Sequence, residues 1–374
     1  MLNQPTFVFW KLAGDKSYLN QLFARWENYG QLVFELSNGR YDGINILLLN
    51  SNVHILSISK KSKYVNIIEL PNFYSNLMGQ LKGINVLKRK FRFMPITLII
   101  GEPTNSGIAT LFIRKFISTN SKIQSQIHGD ILPITDKTFG FLGFARQKMI
   151  LFSVRRSDSI RVVSDFLSQQ IKRQLGENMK TVVAPIPIDF DKIPMTHRVS
   201  NNKLNIGIVG RLHRERGLFE SLEILKRIHI LIPNFECNYI GGGKLENELR
   251  LRIKGLGLSQ NIDIVKINSI TELQKFYSKM DILLSSAPSE GYGLAIREAA
   301  LSGVMVIARK SDGVIAAAQE YPESMTIYSS IDEAVEIIEN LELPIKPFVN
   351  LELLQSAQKT KDAQNLIKLV NSWI

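Results

Sequence analysis

Residues 281–308, DILLSSAPSEGYGLAIREAALSGVMVIA, contain an apolar strand, a glycine-containing loop, a short helix and a second apolar strand in direct succession. Asp281–Ser286 has the length and composition of a buried strand, and Gly303 is placed to end the helix that follows the loop. Two strands joined through one helix predict a parallel βαβ unit. The same stretch holds two carboxylates, Glu290 and Glu298, with seven residues between them.

The strand and helix pattern of this unit continues on both sides, from about residue 204 to residue 328. Apolar runs alternate with segments of helical spacing, which predicts a parallel, doubly wound sheet. The predicted strands are LNIGIV, ECNYI, IDIV, DILLSS, VMVIA and MTIY. Between the first two, residues 218–231 carry an apolar stripe typical of a helix that lies on a sheet, formed by Leu218, Leu222, Leu225 and Ile228.

The first half of the chain shows a similar but less regular alternation of apolar runs and helical segments. Its strand candidates are Thr6–Phe9, Gln31–Leu36, Ile44–Leu49, His54–Ile58, Val65–Leu70, Thr97–Ile100, Ile123–Ile127, Ile160–Val163 and Thr181–Ala184. Residues 186–203 are rich in proline and polar residues and are expected to form a linker. The sequence therefore predicts an α/β protein of two Rossmann-like, doubly wound parallel-sheet domains, 1–185 and 204–355, that face a central cleft. A C-terminal helix, 356–374, is expected to pack back toward the first domain.

The composition is that of a globular protein. Its 374 residues are 45% hydrophobic and 21% charged, and this length exceeds what one hydrophobic core usually covers. Cys237 is the single cysteine, so no intramolecular disulfide can form. The first residues lack the features of a secretory signal and the apolar runs are strand-sized, so we expect a cytoplasmic protein. A net charge of +12 and a pI near 9.6 favour polyanionic partners, namely nucleic acid, anionic lipid or phosphorylated small molecules.

Glu290 lies on a loop at the carboxyl end of a predicted strand, next to the start of a helix. Free N–H groups at a helix start bind anions such as a diphosphate, and Gly291 and Gly293 let the backbone approach a ligand closely. Glu290 and Glu298 would then accept hydrogen bonds from hydroxyl groups, one from a ribose and the other from a sugar. The alternative is structural, with Glu290 stabilising the helix dipole and Glu298 an ordinary residue of the helix face.

Two further loops at strand ends have features of phosphate sites. In GIVGRLHRERG, residues 207–217, Gly210 ends a strand and two guanidinium groups, Arg211 and Arg216, flank the turn, where they can hold a diphosphate. In IGGGK, residues 240–244, Gly242 and Gly243 permit close approach of a ligand. A solvated basic loop and a flexible turn are the respective alternatives, but all three loops are expected at strand carboxyl ends of one domain.

The order GRLHRERG, IGGGKLENEL and DILLSS running into EGYGLAIRE resembles the nucleotide-binding domain of retaining GT-B glycosyltransferases of glycosyltransferase family 4. The resemblance covers roughly residues 100–374 and includes the glutamate pair. It implies that Arg211 and Arg216 neutralise the phosphates of the donor, with Arg216 where the family usually has lysine. It also implies that Glu298 holds the ribose, Glu290 holds the donor sugar and the backbone of Tyr292–Leu294 meets the distal phosphate.

In the first domain, His128 follows a predicted strand in KIQSQIHGDI. A lone histidine is more often structural, but the resemblance implies that this one lines the donor sugar from the acceptor domain. Asp130 can cap a turn, and Glu102 or Asn105, in another strand-end loop, can touch an acceptor. The glycine-rich loop that family members often carry after the first strand is reduced here to Gly14 in KLAGDKS.

The resemblance further implies front-face attack, in which the leaving phosphate helps to take the acceptor proton and no side chain acts as a nucleophile. Basic residues stabilise the leaving diphosphate, and the sequence shows no histidine and carboxylate cluster with metal-ligand spacing, so we expect neither a metal nor a cofactor. The expected donor is a nucleotide sugar, a UDP- or GDP-sugar. The expected acceptor is a glycan or a lipid-linked molecule of cell-envelope polysaccharide synthesis.

Residues 72–93, NFYSNLMGQLKGINVLKRKFRF, mix apolar and basic residues. Such a basic amphipathic segment is suited to an anionic leaflet, which would bring the protein to the inner face of the cytoplasmic membrane. The alternative is a solvated charge run on a domain helix, and Gly79 and Gly83 weaken the helix.

Other classes of protein stay open. A sugar phosphorylase or a nucleotide-sugar epimerase shares the architecture, but no cofactor-lysine context or matching glutamate arrangement favours either. A basic nucleic-acid-binding protein would need an aromatic platform or an arginine-rich helix, whereas the charges here are dispersed, so we expect no nucleic acid partner. A catalytically inactive sugar-nucleotide-binding relative would bind the donor without turnover.

Overall fold

The structure is a computed structural model that describes residues 6–12, 16–49, 62–70, 84–85, 88–89, 96–103, 107–128, 140–194, 203–267, 269–342 and 351–374. The chain divides into two compact units. Unit 1 comprises Met1–Pro185 and Ala363–Ile374, and unit 2 comprises Ile186–Asp362. Each unit is built on one sheet.

Seven described strands form the sheet of unit 1: β1 (Thr6–Leu12), β2 (Ile44–Leu49), β3 (Val65–Leu70), β4 (Ile96–Gly101), β5 (Lys122–Ile127), β6 (Ser159–Val162) and β7 (Thr181–Val183). All are parallel, in the order β3-β2-β1-β4-β5-β6-β7. The chain starts in the middle of the sheet, builds one side and then returns to build the other. This order is that of a doubly wound sheet.

Within the described ranges, the long helices of unit 1 between its strands are α1 (Lys16–Leu36), α2 (Gly107–Phe116), α3 (Gly140–Arg155) and α4 (Asp165–Leu175). The strand predicted at Gln31–Leu36 is wrong, because this segment is the last part of α1. Its β-branched and aromatic residues favour a strand locally. The buried side chains of α1 instead recur at helical spacing, and packing on the sheet decides the structure. They include Leu22, Phe23, Trp26, Tyr29 and Val33. The candidate at His54–Ile58 lies outside the described residues.

Six strands form the sheet of unit 2: β8 (Leu204–Val209), β9 (Phe235–Ile240), β10 (Ile262–Val265), β11 (Ile282–Ser285), β12 (Met305–Arg309) and β13 (Met325–Tyr328). All are parallel, in the order β10-β9-β8-β11-β12-β13. Every strand predicted in this half is confirmed. The helices that alternate with the strands are α5 (Leu218–Leu231), α6 (Glu246–Gly255), α7 (Ile270–Lys279), α8 (Leu294–Leu301), α9 (Asp312–Glu320) and α10 (Ile331–Glu339).

Apolar side chains cover both faces of the unit 2 sheet. On one face Ile206 packs in a cluster with Leu222 of α5, and on the other face Leu283 packs in a cluster with Ile296 of α8. A parallel sheet is stable only when both faces are covered in this way, which is why its strands read as near-continuous apolar runs. The predicted fold class, two doubly wound α/β domains, is confirmed.

The last helix, α11 (Leu351–Asn371), begins in unit 2 and ends in unit 1. Its final turn and the residues after it are part of the unit 1 core, where Leu369, Val370 and Trp373 are buried. Unit 1 therefore takes its core from both ends of the described chain, since Phe9 of β1 belongs to the same cluster.

Residues 186–194, which the sequence assigns to a linker, lie in unit 2. Ile188 and Ile193 are buried in its core, and the N–H of Ile188 donates a hydrogen bond to Asp362 at 2.8 Å. Among the described helices, none combines the length and the apolar character that a membrane span requires.

Trp373 generates a prediction for the stability of unit 1. Its indole N–H donates to Oε1 of Gln124 at 2.7 Å, and its ring makes edge contacts with Phe9 and Tyr29, at centroid distances of 5.3 and 5.4 Å. We expect Trp373→Ala to lower the free energy of unfolding by about 3–5 kcal/mol, because it leaves a cavity and removes the donor to Gln124. Urea denaturation followed by circular dichroism measures the loss. Trp373→Phe keeps a ring and should lose less, so equal losses in both variants would contradict the prediction.

Candidate active site

The order of the unit 2 strands reverses at the centre of the sheet. β8 lies between β9 and β11, and the helices after β8 and β11 pack on opposite faces. A crevice opens at the strand carboxyl ends at such a point, and ligands of open α/β sheets bind there. The three loops singled out in the sequence, 210–217, 241–245 and 286–293, follow β8, β9 and β11.

Backbone contacts without intervening side chains hold these loops together. A methyl group on Gly241 would overlap the carbonyl oxygen of Gly210, and one on Gly217 would overlap the carbonyl oxygen of Ser286. Gly217 also has a φ of 64°, in the left-handed region that favours glycine. Glycine at these positions brings the ends of β8, β9 and β11 into direct contact.

The third glycine of the IGGGK motif has a similar role. A methyl group on Gly243 would overlap the carbonyl oxygen of Leu212, and the N–H of Leu212 donates to the carbonyl of Gly242 at 3.0 Å. The glycines predicted to admit a ligand therefore also brace the loop that carries Arg211.

Arg216 and Glu290 form the central ion pair of the site. Arg216 ends a single 3-10 turn after β8, Glu290 lies in the loop after β11, and Nη1 of the arginine is 2.6 Å from Oε2 of the glutamate. The two side chains are 33% and 13% exposed, so water screens this pair less than a surface pair. Among the described residues, Nε of Arg216 has no hydrogen-bond partner although it is buried. This N–H is an unsatisfied donor of the guanidinium group, and it is shielded from solvent.

The other carboxylate oxygen of Glu290 accepts a hydrogen bond from the N–H of Gly293 at 3.2 Å. Gly293 precedes α8 with a φ of 74°, so Glu290 lies against the start of this helix. The first N–H groups of a helix have no partner within it and, together with Arg216, can receive an anion. Glu290 thus contacts the start of the helix, as the structural alternative predicts, and it also orients the guanidinium group of Arg216.

Arg211 is the most exposed cation of the site. Its side chain is 69% exposed, with Nη2 3.4 Å from Oε1 of Glu215. Exposed pairs of this kind contribute little to stability, so the guanidinium group can turn toward a ligand at small cost. Arg211, Arg216 and Glu290 line a cavity of about 20 Å³, which holds about one water molecule. A ligand larger than water must therefore bind over this point and contact the two arginines from outside.

Arg297 of α8 is 1% exposed and holds the loop that carries Glu290. Its guanidinium group donates to the carbonyl oxygen of Tyr292 and lies 3.9 Å from the centroid of the Tyr292 ring. On its other side Nη2 is 3.1 Å from Oε1 of Glu320. A buried charge needs such partners, and these fix the loop in one conformation. Because the Tyr292 side chain is buried, its backbone is the part of this residue that can meet a ligand.

Glu298 lies one turn into α8 and is buried. The Tyr277 hydroxyl donates to its Oε2 at 3.1 Å, and Lys192 Nζ lies 3.8 Å from its Oε1. Burial raises the pKa of Glu298 above its ordinary value of 4.5, although Lys192 and the Tyr277 hydroxyl oppose the shift. Burial also raises the pKa of Tyr277. Glu298 is thus a buried acceptor with specific partners, unlike the ordinary helix-face glutamate of the structural alternative.

Unit 1 carries the remaining candidates. His128 follows β5 directly and is half-buried, and Glu102 follows the neighbouring strand β4. Asn105, Asp130 and Gly14 lie outside the described residues, as does most of segment 72–93. Within the ranges that the structure describes, no group of three His, Cys, Asp or Glu side chains is placed to hold a metal ion.

Several residues that build this site were not singled out from the sequence. Lys192 reaches Glu298 from the start of unit 2, Tyr277 reaches it from α7, and Gly313 of α9 lies so close to the 286–293 loop that a methyl group would overlap the carbonyl oxygen of Glu290. Tertiary neighbours of this kind leave no local pattern. Arg297 does leave one, because it and Glu298 are the two charged residues of a short helix that is otherwise apolar.

Residues 189–343 match the sequence profile of the family described as "Glycosyl transferases group 1". The capsular polysaccharide biosynthesis glycosyltransferase CapM of Staphylococcus aureus is 24% identical over 287 residues, which cover 71% of this chain and 73% of that protein. The matched profile spans all the unit 2 residues of the site.

Solved structures of other proteins resemble the whole chain, and two of them illustrate the similarity. Sucrose-phosphate synthase of Thermosynechococcus elongatus aligns with a TM-score of 0.70 at 15% identity, covering 99% of this chain and 94% of the other. Anabaena HepE in complex with UDP-glucose aligns with a TM-score of 0.71 at 14% identity, covering 98% of both chains. At such identities the likeness concerns the fold alone. With two parallel-sheet α/β units, that fold is the GT-B architecture.

The contact at Gly313 generates a prediction. We expect Gly313→Ala to lower the free energy of unfolding by about 1–3 kcal/mol, because the methyl group displaces the backbone at Glu290. Gly255→Ala, at the end of α6, is the matched control. It meets nothing within 4 Å, and should leave stability unchanged or raise it by about 0.5–1 kcal/mol. Thermal unfolding of the three proteins measures both effects, and a Gly313→Ala variant as stable as the parent would refute the close contact.

The environment of Glu298 predicts a pH dependence. With its pKa raised in the folded state, this carboxyl is protonated in both states below pH 4.5. As the pH rises through that value the unfolded chain ionises first, so stability is lost until the pH passes the folded pKa. Glu298→Gln removes this titration and keeps an acceptor for Tyr277. The free energy of unfolding of the parent should therefore fall relative to that of the variant as pH rises above 4.5. Parallel urea-denaturation profiles across this range would contradict the shift.

Proposed function

We propose that this chain, a glycosyltransferase whose residues 189–343 form a glycosyl transferases group 1 domain, transfers a sugar from a nucleoside diphosphate sugar with retention of anomeric configuration. The observation that carries the proposal is the Arg216–Glu290 pair at the start of α8. It combines a cation, a helix N-terminus and a carboxylate where the central strands of the unit 2 sheet end. Phosphate, diphosphate oxygens and sugar hydroxyls are the chemical groups that such a set recognises together.

The donor diphosphate lies, in this proposal, over the rim formed by Arg211 and Arg216. A phosphate oxygen competes with Glu290 for Arg216, and the carboxylate that is released accepts a hydroxyl of the donor sugar. Glu298 holds the ribose, with Lys192 and Tyr277 as positioning residues that fix the orientation of its carboxylate. The donor is a UDP- or GDP-sugar, and UDP is the nucleotide held by the solved HepE complex.

In the proposed reaction, the bond between the anomeric carbon and the diphosphate oxygen breaks. The acceptor oxygen bonds to that carbon from the same face, and the acceptor proton passes to the departing phosphate. Arg211, Arg216 and the N–H groups of α8 stabilise the negative charge that grows on the diphosphate. In the structure both oxygens of Glu290 accept hydrogen bonds, which supports a role in binding rather than as a nucleophile. Neither a metal ion nor a cofactor takes part in this proposal.

The acceptor is a glycan or a lipid-linked molecule of cell-envelope polysaccharide synthesis. The name of the CapM relative, which acts in capsular polysaccharide biosynthesis, supports this class of acceptor. His128 and Glu102 lie at neighbouring strand ends of unit 1 and contact the donor sugar and the acceptor in this proposal. A cytoplasmic enzyme that reaches the membrane through segment 72–93 would meet a lipid-linked acceptor at the inner leaflet.

Nucleotide binding tests the donor site directly. Isothermal calorimetry with UDP, GDP, ADP and their sugar conjugates should show binding of one nucleotide family. Arg211→Ala and Glu298→Ala should each weaken that binding by about tenfold or more, because each removes charge-assisted hydrogen bonds. Arg252→Ala is the matched control, since Arg252 is also exposed and paired within its own helix, with Glu248 at 2.8 Å. Absence of binding to every nucleotide, or equal loss in the control, would overturn the donor site.

Turnover tests the chemistry. With the nucleotide family known, proton NMR of the product formed on a glycan acceptor should show the same anomeric configuration as the donor. Activity should persist in EDTA, because arginine and helix N–H groups carry the leaving-group charge. Inversion would refute the retaining mechanism, and loss of activity in EDTA with recovery on adding Mg²⁺ would refute metal independence. Donor binding with no turnover on any acceptor would identify an inactive sugar-nucleotide-binding relative.

A further inference from the structure

Unit 1 exposes large apolar side chains on the adjacent helices α2 and α3. Phe112, Phe116, Met149 and Phe152 are 36%, 55%, 53% and 45% exposed. We call these four residues, with the basic residues between and beside them, the docking face. Residues 112 and 116 of α2 are four positions apart, and residues 149 and 152 of α3 are three positions apart, so each pair forms a ridge on the outside of its helix. Scattered exposed apolar residues are ordinary, but here Phe112 stacks on Phe116 and lines one groove with Phe152, which indicates an interaction surface.

The docking face is held rigidly. A methyl group on Gly107 would overlap Oγ of Ser153, so the two helices pack closely. Arg114 of α2 donates to the carbonyl oxygen of Arg156 and to the Asp158 carboxylate, both at 2.9 Å. The rings of Phe112 and Phe116 stack at a centroid distance of 5.6 Å. Between the helices lies a groove of about 510 Å³, whose lining includes Phe112 and Phe152. The exposed rings are therefore preorganised rather than disordered.

Basic residues surround the apolar ridges. Residues 107–128 and 140–158 contain seven Lys or Arg and a single acidic residue, Asp158, which Arg114 neutralises. Arg156 lies 3.6 Å from the ring centroid of Phe152, and Lys115 lies 5.4 Å from that of Phe116. Each cation thus lies beside an exposed ring.

We propose that the docking face binds the surface of an anionic membrane. Aromatic and Met side chains that enter the headgroup region beside Lys and Arg that pair with lipid phosphates are the combination that interfacial binding requires. The charge selects this occupant over a second copy of the chain, because a symmetric dimer through this face would bring the cations of both copies together. The docking face shares no residue with segment 72–93, and its binding requires no nucleotide, so the inference does not rest on the donor chemistry proposed above.

Flotation of the full-length protein with lipid vesicles tests the inference. The protein should float with vesicles of phosphatidylcholine that contain phosphatidylglycerol and remain behind with phosphatidylcholine alone. The double variant Phe116→Ser with Phe152→Ser should bind the anionic vesicles about tenfold more weakly, because the inserted apolar area is lost. Lys115→Gln with Arg155→Gln should also weaken binding by about tenfold, because the attraction to anionic lipid is reduced.

Matched variants in unit 2 control for general effects of the substitutions. Ile230 and Leu251 are 75% and 71% exposed, and Ile230→Ser with Leu251→Ser should leave vesicle binding unchanged. Lys275→Gln with Lys279→Gln should likewise change it less than the docking-face pair. Circular dichroism and thermal unfolding establish that each variant is folded before it is compared.

Three results would overturn the inference. The first is that the Phe116→Ser, Phe152→Ser variant binds anionic vesicles as strongly as the parent. This result includes the case in which flotation is lost only when charges within segment 72–93 are reversed. The second is failure of the parent to float with anionic vesicles. The third is a parent dimer in light scattering that these Ser substitutions dissociate, which would assign the face to a second copy. These three measurements are made without nucleotide. Their results can therefore be interpreted even if the protein binds none of the nucleotides tested as donors.

Discussion

Direct contact between backbones at glycine is the constraint on which the unit 2 site depends. Gly241 touches the Gly210 carbonyl, Gly217 touches that of Ser286, and Gly313 touches that of Glu290. Any side chain at these positions would separate the loops by the width of a methyl group or more. Arg216 and Glu290 belong to loops after different strands, and their ion pair of 2.6 Å forms only because those loops are already in contact. The ion pair at this site thus depends on the close packing of the loop backbones.

Three cations at the site each pair with a carboxylate. Arg216 pairs with Glu290, Arg297 with Glu320, and Lys192 with Glu298. The net charge of +12 therefore gives no measure of the field in this crevice. A bound anion must exchange partners with a carboxylate instead of filling an open positive pocket. Exchange of this kind favours ligands that offer both an anion for the arginine and hydroxyl groups for the carboxylate it leaves, which makes the paired arrangement more selective than unpaired cations would be.

The sequence predicted the unit 2 fold closely because buried parallel strands and the helices between them each carry a local pattern. LNIGIV and MTIY could be read directly, and the stripe on residues 218–231 identified α5. In unit 1 the segment Gln31–Leu36 was misread, since its strand-like composition concealed a helical spacing that extends back to Leu22. For the site, the arginines and glutamates lie within recognisable motifs. Lys192 and Tyr277 do not, because their importance arises from contacts with Glu298 across 106 and 21 positions of chain.

The path of the chain has a consequence for how the protein forms during synthesis. Trp373 packs against Phe9 and Tyr29, so the core of unit 1 contains residues from both ends of the described chain, with the whole of unit 2 between them. A ribosome delivers β1 first and Trp373 only after all six strands of unit 2. Unit 2 is continuous in sequence and can complete its core while unit 1 still waits for its last helix. The half of the protein that is made first is thus the half that finishes folding last, and the apolar residues that pack on Trp373 stay uncovered until the end of synthesis.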